Sequence, residues 1–189
     1  LPMAENGMTV VGMDISELML RQAVEASKRN GSHCHTCFLL ADGDDLPFAD
    51  NSFDRVMTYG VLHHLPNPKH SCMEFQRVLS PGGVYLGSEN HESPLRPLFD
   101  LSMKFLPLWQ EKAGAEPLIS KAKLEAWHAD ADVQIEERYG VFLPPHFFNL
   151  LGARLAYTCM IVTDAVMNAL PVVRKAGGLI VYEVRSRGR

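Results

Sequence analysis

The sequence predicts an α/β domain with a mostly parallel sheet, and three observations carry that prediction. Short apolar runs at Thr9–Met13, Phe38–Ala41 and Phe53–Thr58 alternate with helix-like segments, and such alternation builds right-handed crossover units on a parallel sheet. The first two runs lead directly into an acid, Asp14 and Asp42, and the third leads into Tyr59-Gly60. Ligands of open α/β sheets bind in the crevice outside the carboxyl ends of the strands, so these residues are candidate ligand contacts.

Each element has its own local reason. Residues 1 to 7 read as the end of a helix stopped at Asn6-Gly7, where glycine takes the left-handed cap position. Thr9–Met13 is short, apolar and partly β-branched, as a buried strand should be. Ser16 is a good N-cap and Glu17 suits the positive end of the dipole, so a helix is expected to about Arg29, before Asn30-Gly31. Phe38–Ala41 is the next strand; after the turn Ala49-Asp50-Asn51-Ser52, Phe53–Thr58 is another. His70–Leu79 reads as a helix stopped by Pro81-Gly82-Gly83, and Val84–Ser88 as a strand.

After Glu89 the character changes. Pro94–Gln110, rich in Leu, Phe and Pro, reads as one or two short lid helices, and Lys121–His128 as another helix. Val133, Ile135, Tyr139 and Val141 alternate with polar residues, marking a half-buried strand whose pattern Glu137 breaks. Phe147–Leu170 reads as a helix broken near Gly152, and Leu179–Val184 as the closing strand. Arg154 and Asp164 exclude the long helix as a membrane span, each costing ~2.5–3.5 kcal/mol at the bilayer centre.

The totals bound the function class. A chain of 189 residues fits one domain, with residues 1–90 as a cofactor-binding half and 91–189 as an acceptor-side half. Hydrophobic content of 47% and charged content of 21% are ordinary for a globular domain. A net charge of −4 gives no electrostatic footprint for nucleic acid or an anionic membrane. The chain opens on Leu1 without a charged and apolar leader, so a cytoplasmic location is the expectation. Four cysteines, Cys34, Cys37, Cys72 and Cys159, do not suggest a disulfide scaffold. His33-Cys34-His35 with Cys37 lacks the second paired half of a closed tetrahedral zinc site, so no metal is expected.

Asp14 is the sharpest single residue. A carboxylate at the end of a parallel strand accepts hydrogen bonds from the vicinal hydroxyls of a ribose, though capping the following helix is the competing use. Ribose recognition alone leaves S-adenosylmethionine and a nicotinamide cofactor equally open. Ile15 and Met19 supply apolar faces suited to a base, and core packing uses the same side chains. Gly60 permits close approach of the backbone to a ligand. His91, with Glu89 and Asn90, follows the strand Val84–Ser88 and is a candidate general base toward an acceptor.

Several runs taken in order resemble the class I S-adenosylmethionine-dependent methyltransferases of the ubiquinone and menaquinone type. They are Asp42 through Phe48 (D-x-x-x-L-P-F), Asn51-Ser52-Phe53-Asp54, Gly60-Val61-Leu62-His63-His64, Arg77-Val78-Leu79 and Ser80-Pro81-Gly82-Gly83. The resemblance covers roughly residues 8 to 90. It implies a Rossmann-like, mostly parallel sheet with helices on both faces and an antiparallel C-terminal edge. It implies S-adenosyl-L-methionine as cofactor and methyl transfer to a small organic acceptor. It also implies that Asp42 receives the adenine amino group, that the backbone of Gly43 and Asp44 meets the ring edge, and that Tyr59 and Gly60 lie at the methionine end beside the methyl. His63-His64 matches a family feature that is more often structural.

One motif of the family is not in the chain. No G-x-G occurs in it, so the glycine loop and first strand are expected upstream of Leu1, with residues 1 to 7 as the tail of the helix that the loop opens. Without that strand two sheet edges would lie open, an arrangement that admits a homodimer and weak cofactor binding. Two other functions stand beside methyl transfer. A non-catalytic methyltransferase-fold fragment would only pack against a partner. A nicotinamide oxidoreductase predicts a pair such as Y-x-x-x-K, and no tyrosine is followed by lysine at that spacing. The acceptor is expected to be apolar, from the cover offered by Leu98, Phe99, Phe105, Leu106, Trp109, Phe142, Phe147 and Phe148.

Overall fold

Val10–Asp14 forms the first strand (β1) and Thr36–Leu40 the second (β2), paired in parallel with Val10 opposite Thr36 and Asp14 opposite Leu40. The computed structural model describes residues 2–31, 35–105, 117–142, 152–170 and 173–186. These fall into two units, 1–49 and 50–189.

In residues 1–49 the turn signals act where the sequence puts them. Helix α1 (Pro2–Glu5) ends on Gly7 at φ 81°. There the Met8 N–H donates to the Met3 carbonyl and the Gly7 N–H to the Ala4 carbonyl, a pairing that needs the left-handed conformation. Helix α2 (Glu17–Arg29) connects the two strands, and its N-cap Ser16 accepts a hydrogen bond from the Met19 N–H. Gly12 lets the strands face each other closely, because a Cβ there would stand 2.9 Å from the Phe38 ring.

Residues 50–189 run β3 (Phe53–Tyr59), a 3-10 turn (Leu62–His64), α3 (Pro68–Val78), β4 (Leu79–Asn90), α4 (Arg96–Phe105), α5 (Lys121–Trp127), β5 (Val133–Gly140), α6 (Ala153–Asn168) and β6 (Leu179–Ser186). The sheet order is β3-β4-β6-β5. β3 and β4 are parallel through the crossover helix α3, while β6 runs antiparallel to both β4 and β5. The parallel crossovers and the antiparallel C-terminal edge are those predicted. Among the described residues β1 pairs only with β2, and β3 only with β4.

The core of this unit sits where α3 and α5 cover the sheet, around Phe75, Val78, Tyr85, Leu124, Ile180, Tyr182 and Val184. The Tyr85 ring lies 5.1 Å from Phe75 and 5.6 Å from Tyr182, the latter edge-on at 80°. Gly87 leaves the space that Tyr182 fills, since a Cβ there would fall on the tyrosine ring.

Two local expectations are refined. β4 begins at Leu79 rather than Val84, with Leu79 opposite Phe53 before the register shifts to Val84 opposite Arg55. Gly82, at φ 78°, and Gly83, where a Cβ would come 2.8 Å from the Ser80 carbonyl oxygen, absorb that irregularity. Pro81-Gly82-Gly83 therefore lies within a bulged strand, after the helix has already stopped. Glu137 keeps the inward phase of Val133, Ile135 and Tyr139, and the Lys121 Nζ reaches its carboxylate at 2.7 Å. Among the described residues no helix is long and apolar enough to cross a membrane.

Candidate functional site

In residues 1–49 the ends of two parallel strands bring the predicted acids to one edge. The Ala41 N–H donates to the Asp14 carbonyl, which carries β2 past Asp14 and delivers Asp42 beside it. Asp14 is half-buried, and its Oδ1 accepts from the Ser16 N–H at 2.8 Å. One carboxylate oxygen thus serves the entry of α2, the competing use foreseen for it. Asp42 is exposed; its Oδ1 accepts from the Asp44 N–H at 3.0 Å, a local turn that fixes Asp42-Gly43-Asp44. Ile15 is 74% exposed and Met19 52%, leaving an apolar surface next to the acids. Acceptor oxygens beside bare apolar side chains fit a nucleoside, with hydroxyls and a flat base to satisfy.

In residues 50–189 a buried carboxylate organises the segment that follows β3. Tyr59 closes the strand, 79% exposed, and Gly60 turns at φ 62° with its N–H donating to the Ser88 carbonyl. The chain then meets Glu89, near the end of β4. Glu89 Oε1 accepts from the Val61 and Leu62 N–H groups, both at 2.9 Å, and Oε2 lies 2.7 Å from His63 Nδ1. The side chain of Glu89 is 0% exposed and that of His63 is 4% exposed. A charge so far from water survives only when hydrogen bonds replace its hydration, and three do so here. Because a carboxylate only accepts, His63 carries a hydrogen on Nδ1. Gly60 is the neighbour: a Cβ there would stand 3.6 Å from His63 Cε1.

This pair was not picked out from the sequence, which assigned His63-His64 to structure and Glu89 to the surroundings of His91. A signal was present. Tyr85, Gly87, Glu89 and His91 alternate along one face of β4, and all four are buried. A carboxylate in phase with a buried face must find partners. His91 shares that face, and its Nδ1 donates to the Gly177 carbonyl at 2.8 Å while its ring lies 4.8 Å from Tyr139, tilted at 59°. Burial pushes its pKa down from 6.5. That geometry ties the end of β4 to the segment entering β6.

Behind Glu89 the hydroxyls of Thr58, Tyr85 and Tyr182 form a buried chain with spacings of 2.9 and 2.8 Å. Burial pushes both tyrosines up, and it pushes the Cys72 thiol up to about 12, so these groups stay protonated. His33 and Cys34 lie outside the described residues; among those described, no cluster of three or more His, Cys, Asp or Glu side chains is set to hold a metal. Of the apolar cover, Leu98 is exposed and Phe142 buried, while Leu106, Trp109, Phe147 and Phe148 lie outside the described residues.

Residues 1–87 match the family model described as a methyltransferase domain. A demethylmenaquinone methyltransferase of Renibacterium salmoninarum is 33% identical over 120 residues, covering 61% of this chain and 48% of that protein. A malonyl-(acyl-carrier protein) O-methyltransferase of Erwinia pyrifoliae is 28% identical over 182 residues, covering 96% of this chain and 58% of its own length. The crystal structure of the (4+2)-cyclase SpnF superposes with a TM-score of 0.67 over 100% of this chain and 71% of that one at 19% identity, a likeness of fold. The match spans from 22% to 58% of the length of such curated relatives. The first half of the chain, with its strand-end acids and glycine turn, is thus similar to S-adenosylmethionine-dependent methyltransferases.

Proposed function

We propose that this protein transfers a methyl group from S-adenosylmethionine to a small, largely apolar organic acceptor, with His63 and Glu89 handling the acceptor's proton. The observation that carries the reading is the buried Glu89 carboxylate bound to His63 Nδ1 directly after Tyr59-Gly60. The cofactor, when bound, supplies a methyl on a positively charged sulfur that departs as a neutral thioether.

The residues divide the remaining work. Asp14 accepts from the ribose hydroxyls, and Asp42, with the Gly43 and Asp44 backbone, receives the adenine edge. Ile15 and Met19 give the base its apolar surface. Tyr59 and Gly60 border the methionine end, where the absence of a side chain at Gly60 admits close approach. His63 Nε2 takes the proton released when the acceptor heteroatom forms its bond to carbon. Glu89 fixes the ring and stabilises the imidazolium so formed, as a buried acid does for a histidine base. Such positioning lowers the barrier of an in-line displacement mainly through proximity. His91 serves the closure of β4 on β6 in this reading.

Relatives named as a demethylmenaquinone methyltransferase and a malonyl-(acyl-carrier protein) O-methyltransferase support methyl transfer to an organic acceptor. The test is product mass after incubation with S-adenosylmethionine and a panel of quinols, phenols, amines and oligonucleotides. Methylation of the quinols and phenols, abolished in His63→Asn, is the expected result. Turnover of amines or oligonucleotides alone, or full activity in His63→Asn, overturns it.

A further inference from the structure

We propose that the exposed apolar side of α6 is a self-association surface, on which a second copy of this chain lays its own α6 antiparallel. The pairing involves residues 50–189 only and is independent of the methyl-transfer reading. Of the 16 residues of α6 only Arg154 and Asp164 are charged, yet none of its described side chains is buried. A helix so apolar belongs in the interior of a protein or of an interface. Leu155 is 54% exposed, and Val162 and Val166 are each 55% exposed.

The spacing of these side chains indicates what covers them. Leu155, Cys159, Val162 and Val166 follow one another at intervals of four, three and four residues. That repeat keeps one seam of a helix turned toward a partner helix. Asn168 Nδ2 donates to the Tyr139 carbonyl at 2.7 Å, and Asp164 stands against Gly140, so these two mark the side of α6 that faces β5. The seam runs about half a turn round the helix from Asp164, on the far side. It is flanked by Ala156, Thr158, Thr163 and Ala165, which are small enough for two backbones to approach closely. The Thr158 hydroxyl already donates to the Arg154 carbonyl at 3.0 Å, so it makes no polar demand on a partner.

The seam is complementary to itself. A two-fold axis midway between Cys159 and Val162 sets Leu155 against Val166 of the second copy, and Cys159 against Val162 of the second copy. Each contact occurs twice, as a closed isologous interface requires. The antiparallel sense brings opposite ends of the two helix dipoles together, and Arg154 and Asp164 lie off the seam, so no like charges meet. A bilayer surface is the poorer occupant, because a helix lying on one carries a basic polar face and α6 has a single arginine. Sixteen residues make a helix of about 24 Å. Such a pair buries less than the roughly 800 Å² per partner of a standard interface, which places the dimer's dissociation constant on the order of 10–100 μM.

Sedimentation equilibrium of the whole chain should show monomer and dimer exchanging in that range. Val162→Glu puts a carboxylate near the two-fold axis in both copies and should weaken the dimer at least about tenfold. Because Val162 is more than half exposed, the urea midpoint in dilute solution should stay in place. Crosslinking reads the register in a background of Cys34→Ser and Cys37→Ser. With diamide as oxidant, Val162→Cys should yield a covalent dimer through Cys159 of the second copy, and Tyr157→Cys, off the seam, far less. Should the glutamate variant fail to fold, this crosslink decides alone. A monomer at every concentration up to about 0.5 mM overturns the proposal. So does a dimer that survives Val162→Glu, as pairing through open strand edges would, or a missing Cys159 crosslink. Flotation with phosphatidylcholine–phosphatidylserine vesicles in place of self-association overturns it as well.

Discussion

The acids of residues 1–49 and the acid of residues 50–189 are held in opposite ways. Asp14 and Asp42 each take a backbone N–H from their own turn, and neither is buried. Glu89 is sealed from solvent and bound to three groups of a segment more than twenty residues away in sequence. An acid of the first kind spends little on the fold and remains available to a ligand. An acid of the second kind is committed to the turn and the histidine ring it holds. The same side-chain chemistry thus leaves carboxylate oxygens within reach of solvent in one unit and ties a turn to a strand in the other.

Substitutions break this contrast in graded steps. Glu89→Leu should be the most damaging, because it leaves the Val61 and Leu62 N–H groups and the His63 ring without their acceptor; breaking a buried pair in this way costs about 3–5 kcal/mol. Urea melts measure it, and Glu89→Gln should recover part of the loss because one amide oxygen still accepts. Asp14→Ala should behave conversely. Its urea midpoint should move little, while S-adenosylhomocysteine affinity falls by about 1.5–3 kcal/mol for each ribose bond lost, as titration calorimetry reads out.

A pH scan separates the units further. His91 and His128, both in residues 50–189, have folded pKa values pushed below 6.5 chiefly by burial. The unfolded chain then binds protons more readily than the folded one. Their contribution to stability is full above pH 6.5 and is lost as pH falls below it toward the lowered values. Melting temperature should drop across that window, and His91→Gln should flatten the slope. The smallest effect belongs to the surface of α2. The Arg21–Glu17 pair is exposed on both sides, so Arg21→Ala should change stability by no more than about 0.5 kcal/mol.

Much of the fold was legible because each signal was local. Ser16 caps α2, Gly7 ends α1, and the alternation from Val133 to Tyr139 is a strand with one buried face. The start of β4 was not, since Pro81-Gly82-Gly83 obeys the same local rules whether it ends a helix or bulges a strand; pairing with Phe53 decides it. The site divides along the same line. Asp14, Asp42 and Gly60 stand at strand ends and were readable from strand-end position and motif order. The union of His63 with Glu89 depends on which face of β4 turns toward the following turn, a fact of tertiary packing. His91, on the same face, is conspicuous in the sequence by its place after the strand, and its ring is engaged by Gly177 and Tyr139.

The fit of Gly87 beneath Tyr182 also constrains how this sequence can drift. Any side chain at Gly87 collides with the tyrosine ring, while Tyr182 also holds one end of the Thr58–Tyr85 hydroxyl chain. The two positions are therefore locked in order. A change at Gly87 is tolerated only after Tyr182 has already become smaller, and that first step sacrifices a buried ring and a hydrogen bond. A paired mutational library should show alanine at Gly87 rescued by valine at Tyr182, and purged in every background that keeps the tyrosine. Lineages descending from this protein would then cross between the two packings rarely, and in one direction of steps.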